Sequence, residues 1–248
     1  MFLLKKSPDL SYQDIMDYVG ETTHLGGSKT TKAILKHLVF KNKKPVVLDA
    51  GCGTGKTLNI LSKEIDCQLF GLDKNRRFIS KAKGSVSQLI VGDLTGLPFK
   101  DEVFDAVLCE DVLPFVDDVE KCIKEFTRVL KNKGFLAITT SIYFDKPDEQ
   151  TKEKLSKLYG MKLNLIVFQD FMKLLKRYNV HQVEVVKPDI NIIDGLKALH
   201  PWSWIKLFSL FLNRNLSRRL FSFLTSWLRM IKTAERNPGY VAVIGKKE

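Results

Sequence analysis

Cysteine and histidine are scarce in this chain, four of each in 248 residues. Cys52, Cys67, Cys109 and Cys122 form no C-x-x-C pair, and His24, His37, His181 and His200 show no metal-ligand spacing. Neither a zinc site nor a disulfide framework is expected, and a reducing cytoplasm is the natural compartment. No apolar run approaches the ~20 residues needed to span a bilayer. The opening M-F-L-L-K-K-S-P has too short an apolar stretch for a signal peptide, and its lysines follow that stretch instead of preceding it. No internal repeat is evident. What is present is an ordinary globular composition, 44% hydrophobic and 27% charged, in a chain long enough to bury a full core.

Charge is plentiful but uneven. The formal net charge is +12, and from Leu196 onward ten lysines and arginines stand against two acids. A basic end beside an ordinary middle points to a local surface for anionic partners or lipid headgroups. It argues against nucleic acid, because no recognisable RNA-binding motif accompanies it.

The run V-V-L-D-A-G-C-G-T-G-K-T, Val46 to Thr57, carries the most information. A short apolar strand enters a turn with glycines at Gly51, Gly53 and Gly55, and an amphipathic helix follows. Glycines at that spacing let backbone approach a ligand closely, and the helix start offers unpaired N–H groups. Three ligands compete for such a turn. A nucleoside triphosphate fits a relaxed P-loop, with Gly55-Lys56-Thr57 in the expected places and Ala50 where the first glycine belongs. A dinucleotide needs G-x-G-x-x-G, and the spacing here is Gly51-x-Gly53-x-Gly55. S-adenosylmethionine (SAM), a cation, is favoured by the acids: Asp49, Asp73 and Asp93 close three successive strands. Ligands of an open α/β sheet bind outside the carboxyl ends of its strands, so three acids would meet in one crevice and repel a polyphosphate. An adenine amino group can also donate to an acid at Asp93.

These motifs together resemble the class I, Rossmann-like SAM-dependent methyltransferases that modify small molecules. The likeness runs from about Pro45 to Ser141. L-D-A-G-C-G-T-G resembles the first motif of that family and F-G-L-D-K-N the second. V-G-D-L-T-G-L-P-F-K-D-E-V-F-D-A-V resembles the third motif running into the fourth strand, and F-T-R-V-L-K-N-K-G-F-L-A-I the following helix, glycine turn and fifth strand. The resemblance implies that Asp49, Gly51, Cys52, Gly53 and Gly55 hold the methionine part of the cofactor. It implies ribose contacts at Asp73 with Lys74 beside it, and adenine contacts at Asp93 and Leu94. After the fourth strand the family often carries a histidine; this chain has Leu113-Pro114-Phe115 there.

The expected architecture is a mostly parallel, seven-stranded, doubly wound α/β sheet with helices on both faces and an antiparallel last strand. Residues 1–43 read as an N-terminal helical cap, with a short helix from Ser7 to Val19 and a second, capped by Ser28 or Thr30, running through Phe40. Residues 44–187 and 239–248 form the cofactor-binding core, with Gly134 terminating the helix after Asp117-Asp118 and Tyr240 a core residue of an edge strand. Residues 188–238 form a helical, basic and aromatic insertion before that strand. This insertion is read as a roof over an apolar substrate pocket, as a surface that through 201–233 lies on an anionic membrane, or as a docking face for a protein partner, and these readings can overlap. The expected reaction is in-line methyl transfer to an apolar or amphipathic small molecule such as a lipid, quinone, isoprenoid or secondary metabolite. Glu110, placed with the cofactor contacts, and Asp111 stand where an acceptor would approach. His24 and Asp111 are the candidate bases for an acceptor that must lose a proton; Tyr18, Tyr143 and His200 are weaker candidates. Lys56 reads as a solvated first-turn residue, and Cys52 as small filler in a tight loop. Two rivals stay open: a P-loop-like ATPase or kinase using Lys56, and a non-catalytic SAM-fold interaction module.

Overall fold

A computed structural model describes residues 27–82, 88–186, 225 and 238–248. Strands β1 (Val46–Ala50), β2 (Gln68–Asp73), β3 (Gln88–Val91), β4 (Phe104–Glu110), β5 (Leu130–Tyr143), β6 (Ile166–Val167), β7 (Val180–Val186) and β8 (Pro238–Lys247) form one sheet. The order is β3-β2-β1-β4-β5-β8-β7, with β6 added beside β5. Strands β1 to β6 pair in parallel, and β8 runs antiparallel to both β5 and β7. The expected seven strands are therefore eight. Because β8 covers one edge of β5 to its end, β6 continues the edge that β4 leaves free beyond Glu110. The last strand is interior, not an edge as read for Tyr240.

Alternating residues of the central strands enter opposite cores. Leu48, Val107, Cys109, Leu136 and Ile138 pack on one side with Ile123, Phe126, Phe171 and Leu175. Val47, Ala106, Leu108 and Ala137 pack on the other with Ile34, Leu58 and Leu61. Burial on both faces is what a parallel sheet wound by crossover helices requires. The helices are α1 (Gly27–Leu35), α2 (Lys56–Glu64), α3 (Arg76–Lys81), α4 (Val119–Val129), α5 (Glu149–Tyr159) and α6 (Phe168–Arg177). Asp118 caps α4 by accepting from the Lys121 N–H, and Cys122, Ile123, Phe126 and Val129 give that helix one buried face.

Several local expectations need correction. Helix α1 already begins at Gly27 and ends at Leu35, so Ser28 and Thr30 lie inside it and cap nothing. Gly134 does not end α4, which stops at Val129 with Leu130 extended. Instead a Cβ on Gly134 would lie 2.8 Å from the Lys131 carbonyl oxygen, so the glycine serves close backbone approach within β5. The helix read over Ser7–Val19, His24 and nearly all of 188–238 lie outside the described residues.

Candidate cofactor and active site

Sheet order reverses between β1 and β4, and the cleft opens at their carboxyl ends, where such a switch point places ligands. Its volume is about 200 Å³. Asp49, Gly51, Cys52, Gly53, Asp73, Lys74, Asp93, Leu94, Glu110 and Asp111 all line it. Gly55 stands behind, as the residue before α2, and His24 lies outside the described residues.

The turn after β1 takes its shape from the glycines. Gly51, Gly53 and Gly55 have φ of 86°, 53° and 81°, the left-handed region that side chains rarely enter. A Cβ on Gly51 would sit 2.5 Å from Val112 Cγ2. The N–H groups of this turn are spent inside the protein. Gly51 and Cys52 both donate to the Leu72 carbonyl, at 2.7 and 3.0 Å, and Gly55 donates to the Cys52 carbonyl at 2.9 Å. Gly53 donates to Asp73 Oδ2 at 2.9 Å. A phosphate cradle needs those donors turned toward the ligand, so the geometry opposes a P-loop.

Asp49, on β1, is 2% exposed, and its Oδ2 has no hydrogen-bond partner among the described residues. Burial, then the charges of Glu110 and Asp73, push its carboxyl well above the usual carboxylate range. An orphaned buried acceptor facing a cleft is a place for a cationic donor. Asp73 accepts from Gly53 N and from Asn75 N at 2.7 Å. Burial raises its carboxyl, while those two N–H groups and Lys74 pull it back.

Asp93 lies two residues beyond β3, which ends at Val91, so it does not close that strand as read. Its Oδ1 accepts from the N–H and the hydroxyl of Thr95, at 2.8 and 2.7 Å, which holds it below its ordinary value. Glu110 accepts from Thr31 and Thr57. Asp111 has φ of 59°, an uncommon conformation at the very end of β4, fixed by its N–H donating to the Thr139 carbonyl at 2.8 Å. Burial, with Asp49 and Asp73 nearby, raises the Cys52 thiol, which disfavours a reactive thiolate and suits a filler role.

Other residues complete the lining. Lys56 is half-buried at the cleft, not a solvated residue of the first turn. Asn75 caps α3 by accepting from the Arg77 N–H; the D-K-N-R-R run carried that signal. Phe78, Val112, Phe115, Val116 and Asp117 also line the cleft. The loop holding Phe115 is clamped from the connection between α5 and β6: Asn164 N–H donates to the Pro114 carbonyl at 2.9 Å and its Nδ2 to the Val116 carbonyl. No local pattern announces that clamp.

An open, mostly parallel sheet with an acid-lined, glycine-turned cleft at its switch point defines a ligand-binding α/β fold whose cleft favours a cation. Comparison with known proteins agrees. Residues 48–138 match the model of a methyltransferase domain. An uncharacterized methyltransferase of Bacillus subtilis is 31% identical over 170 residues, 66% of this chain and 71% of that protein. An uncharacterized protein of Methanocaldococcus jannaschii is 33% identical over 69% of this chain, which spans 64% of that protein's length. Phosphoethanolamine N-methyltransferase 2 of Haemonchus contortus, solved with phosphomonomethylethanolamine and S-adenosylhomocysteine, superposes with a TM-score of 0.73 at 18% identity. That overlay covers 94% of this chain and 56% of that one. The chain belongs to the class I SAM-dependent methyltransferases, and SAM is its cofactor. The residues fit that group: an orphaned buried acid beside a left-handed turn that leaves no room for a Cβ at Gly51.

Proposed function

We propose that the protein transfers a methyl group from SAM to a small, apolar or amphipathic acceptor. One observation carries the reading most: the unpartnered, buried Asp49 Oδ2 beneath the left-handed turn, in a cleft lined by six carboxylates and two lysines. Those charges attract a cation and repel a polyphosphate or pyrophosphate. Asp49 and the backbone carbonyls of Gly51 to Gly53, whose N–H groups are turned inward, would hold the methionine end, Asp73 with Lys74 the ribose, and Asp93 with Leu94 the adenine.

When bound, SAM supplies an already activated methyl on a sulfonium, and its departing thioether is neutral. The chain therefore has to align the acceptor in line and keep water out. Val112, Phe115 and Val116 give the cleft an apolar wall suited to an acceptor with an apolar body. The aromatic residues of 188–238 are proposed to extend that wall as a roof. A carboxylate, thiolate or enolate acceptor needs no base. For a hydroxyl or ammonium acceptor, Asp111, which lines the cleft, is the proposed proton acceptor, with His24 as the second candidate.

The test compares ligands on the purified protein. S-adenosylhomocysteine and SAM are expected to raise the melting temperature, and NAD and magnesium-ATP are expected to leave it unchanged, since stabilisation follows binding to the folded state. Stabilisation by magnesium-ATP alone would sink the proposal. Transfer of label from methyl-labelled SAM to a panel of quinols, isoprenoids and fatty acids then tests the acceptor class, and a cofactor that binds without any turnover would favour the non-catalytic alternative.

A further inference from the structure

Glu110 is buried, 7% exposed, at the end of β4, and its carboxylate joins two helices. Thr31 Oγ1 on α1 donates to it, at 3.1 Å from Oε1 and 3.0 Å from Oε2. Thr57 Oγ1, in the first turn of α2, donates to Oε2 at 2.5 Å. Thr31 is itself fully buried, and 79 residues separate it from Glu110 in sequence. Glu110 also lines the cleft, close enough to Asp49 for its charge to act on that carboxyl. Carboxylate oxygens accepting from buried hydroxyls are firmly oriented, because charged hydrogen bonds are stronger than neutral ones.

We infer that Glu110 is a positioning residue of the cofactor site: through Thr31 and Thr57 it fastens α1 and α2 under the cleft and fixes a negative charge below the cationic end of the methyl donor. Helix α1 is then a working part of the site, not a flanking cap. The fixed charge favours SAM over S-adenosylhomocysteine, because the two differ by the sulfonium charge and the methyl that carries it. A low-dielectric floor enlarges that difference. The inference rests on the cofactor reading above.

The experiment measures SAM and S-adenosylhomocysteine affinity by calorimetry on full-length wild type and the Glu110→Gln, Thr31→Val and Thr31→Ser variants. Glu110→Gln keeps the shape and removes the charge. It is expected to weaken SAM about tenfold more than S-adenosylhomocysteine. Thr31→Val removes one donor at constant volume and is expected to weaken SAM several-fold, while Thr31→Ser restores wild-type affinity. A merely structural role would lower the melting temperature and weaken both ligands alike, and that outcome overturns the inference. So do folded variants that bind SAM within about twofold of wild type. Should Glu110→Gln fail to fold, Thr57→Val with the two Thr31 variants reads the same bonds. Wild type that binds neither ligand overturns the cofactor reading; wild type that binds while the variants are indifferent overturns this inference alone.

Discussion

At the scale of single residues, the site holds groups that a fold optimised for stability alone would remove. Asp49 has a carboxyl raised in the folded state, so the folded protein binds its proton more tightly than the unfolded chain does. Its stabilising contribution is present at low pH, below the unfolded value, and is lost as pH rises through the folded value. Above that, the buried charge works against folding. Asp49→Asn is therefore expected to stabilise the cofactor-free protein at about pH 8 by roughly 1–3 kcal/mol, with the gain shrinking toward about pH 4. The same variant is expected to lose at least about tenfold in SAM affinity. Urea melts at the two pH values with calorimetry check both, and a destabilised variant at the higher pH would contradict the account. Gly51→Ala meets a left-handed φ and the Val112 methyls together. A loss of about 2–4 kcal/mol is expected in urea unfolding. Adding Val112→Ala is expected to recover the steric part only, since the backbone strain stays.

At the scale of elements, two brackets hold the loops that shape the cleft. Arg128 on α4 donates to the Leu97 and Phe99 carbonyls at 3.0 and 2.8 Å and pairs with Glu125 and Asp101. Hydrogen bonds to Glu125 and Asp101 raise the guanidinium further, so it stays charged. This fork pins residues 97–101 just after Asp93 and seats Phe99 edge-on against Phe104 and Phe70, at 4.8 and 5.8 Å. Arg128→Ala is expected to cost roughly 2–3 kcal/mol in denaturant unfolding. Arg128→Lys should recover little, because a single ammonium cannot make the fork. Asn164 does the same for the loop of Pro114 to Val116. Asn164→Ala is expected to speed proteolysis within 112–117 and leave SAM affinity within about twofold; unchanged proteolysis would count against the clamp. The helix after Asp117-Asp118 and the glycine turn after Ala50 were legible because neighbouring residues decide them. Helix α1 stops at Leu35, short of Phe40, although Leu38 beyond it still packs with Ile34 into the sheet's second core, and no local pattern records that.

At the scale of the whole molecule, basic residues are concentrated toward one end of the sequence. The residues from Leu196 onward carry ten of the basic groups against two acids. If the 201–233 segment meets a membrane, adsorption to phosphatidylglycerol vesicles at low salt is expected to exceed that to phosphatidylcholine and to fall sharply at about 0.5 M salt. No sedimentation with either vesicle would count against the membrane reading. Among the described residues no helix is long and apolar enough to cross a membrane. The sequence alone determined the winding of the sheet, the cleft's position and most of its acids. Strand periodicity, turn glycines and strand-end carboxylates are all set within a few neighbouring residues. Only the tertiary structure decided that the glycine turn spends its N–H groups inward, that Asp93 sits beyond its strand, and that Thr31 reaches Glu110. Those outcomes depend on groups far apart in the chain, brought together by packing against the sheet's two faces.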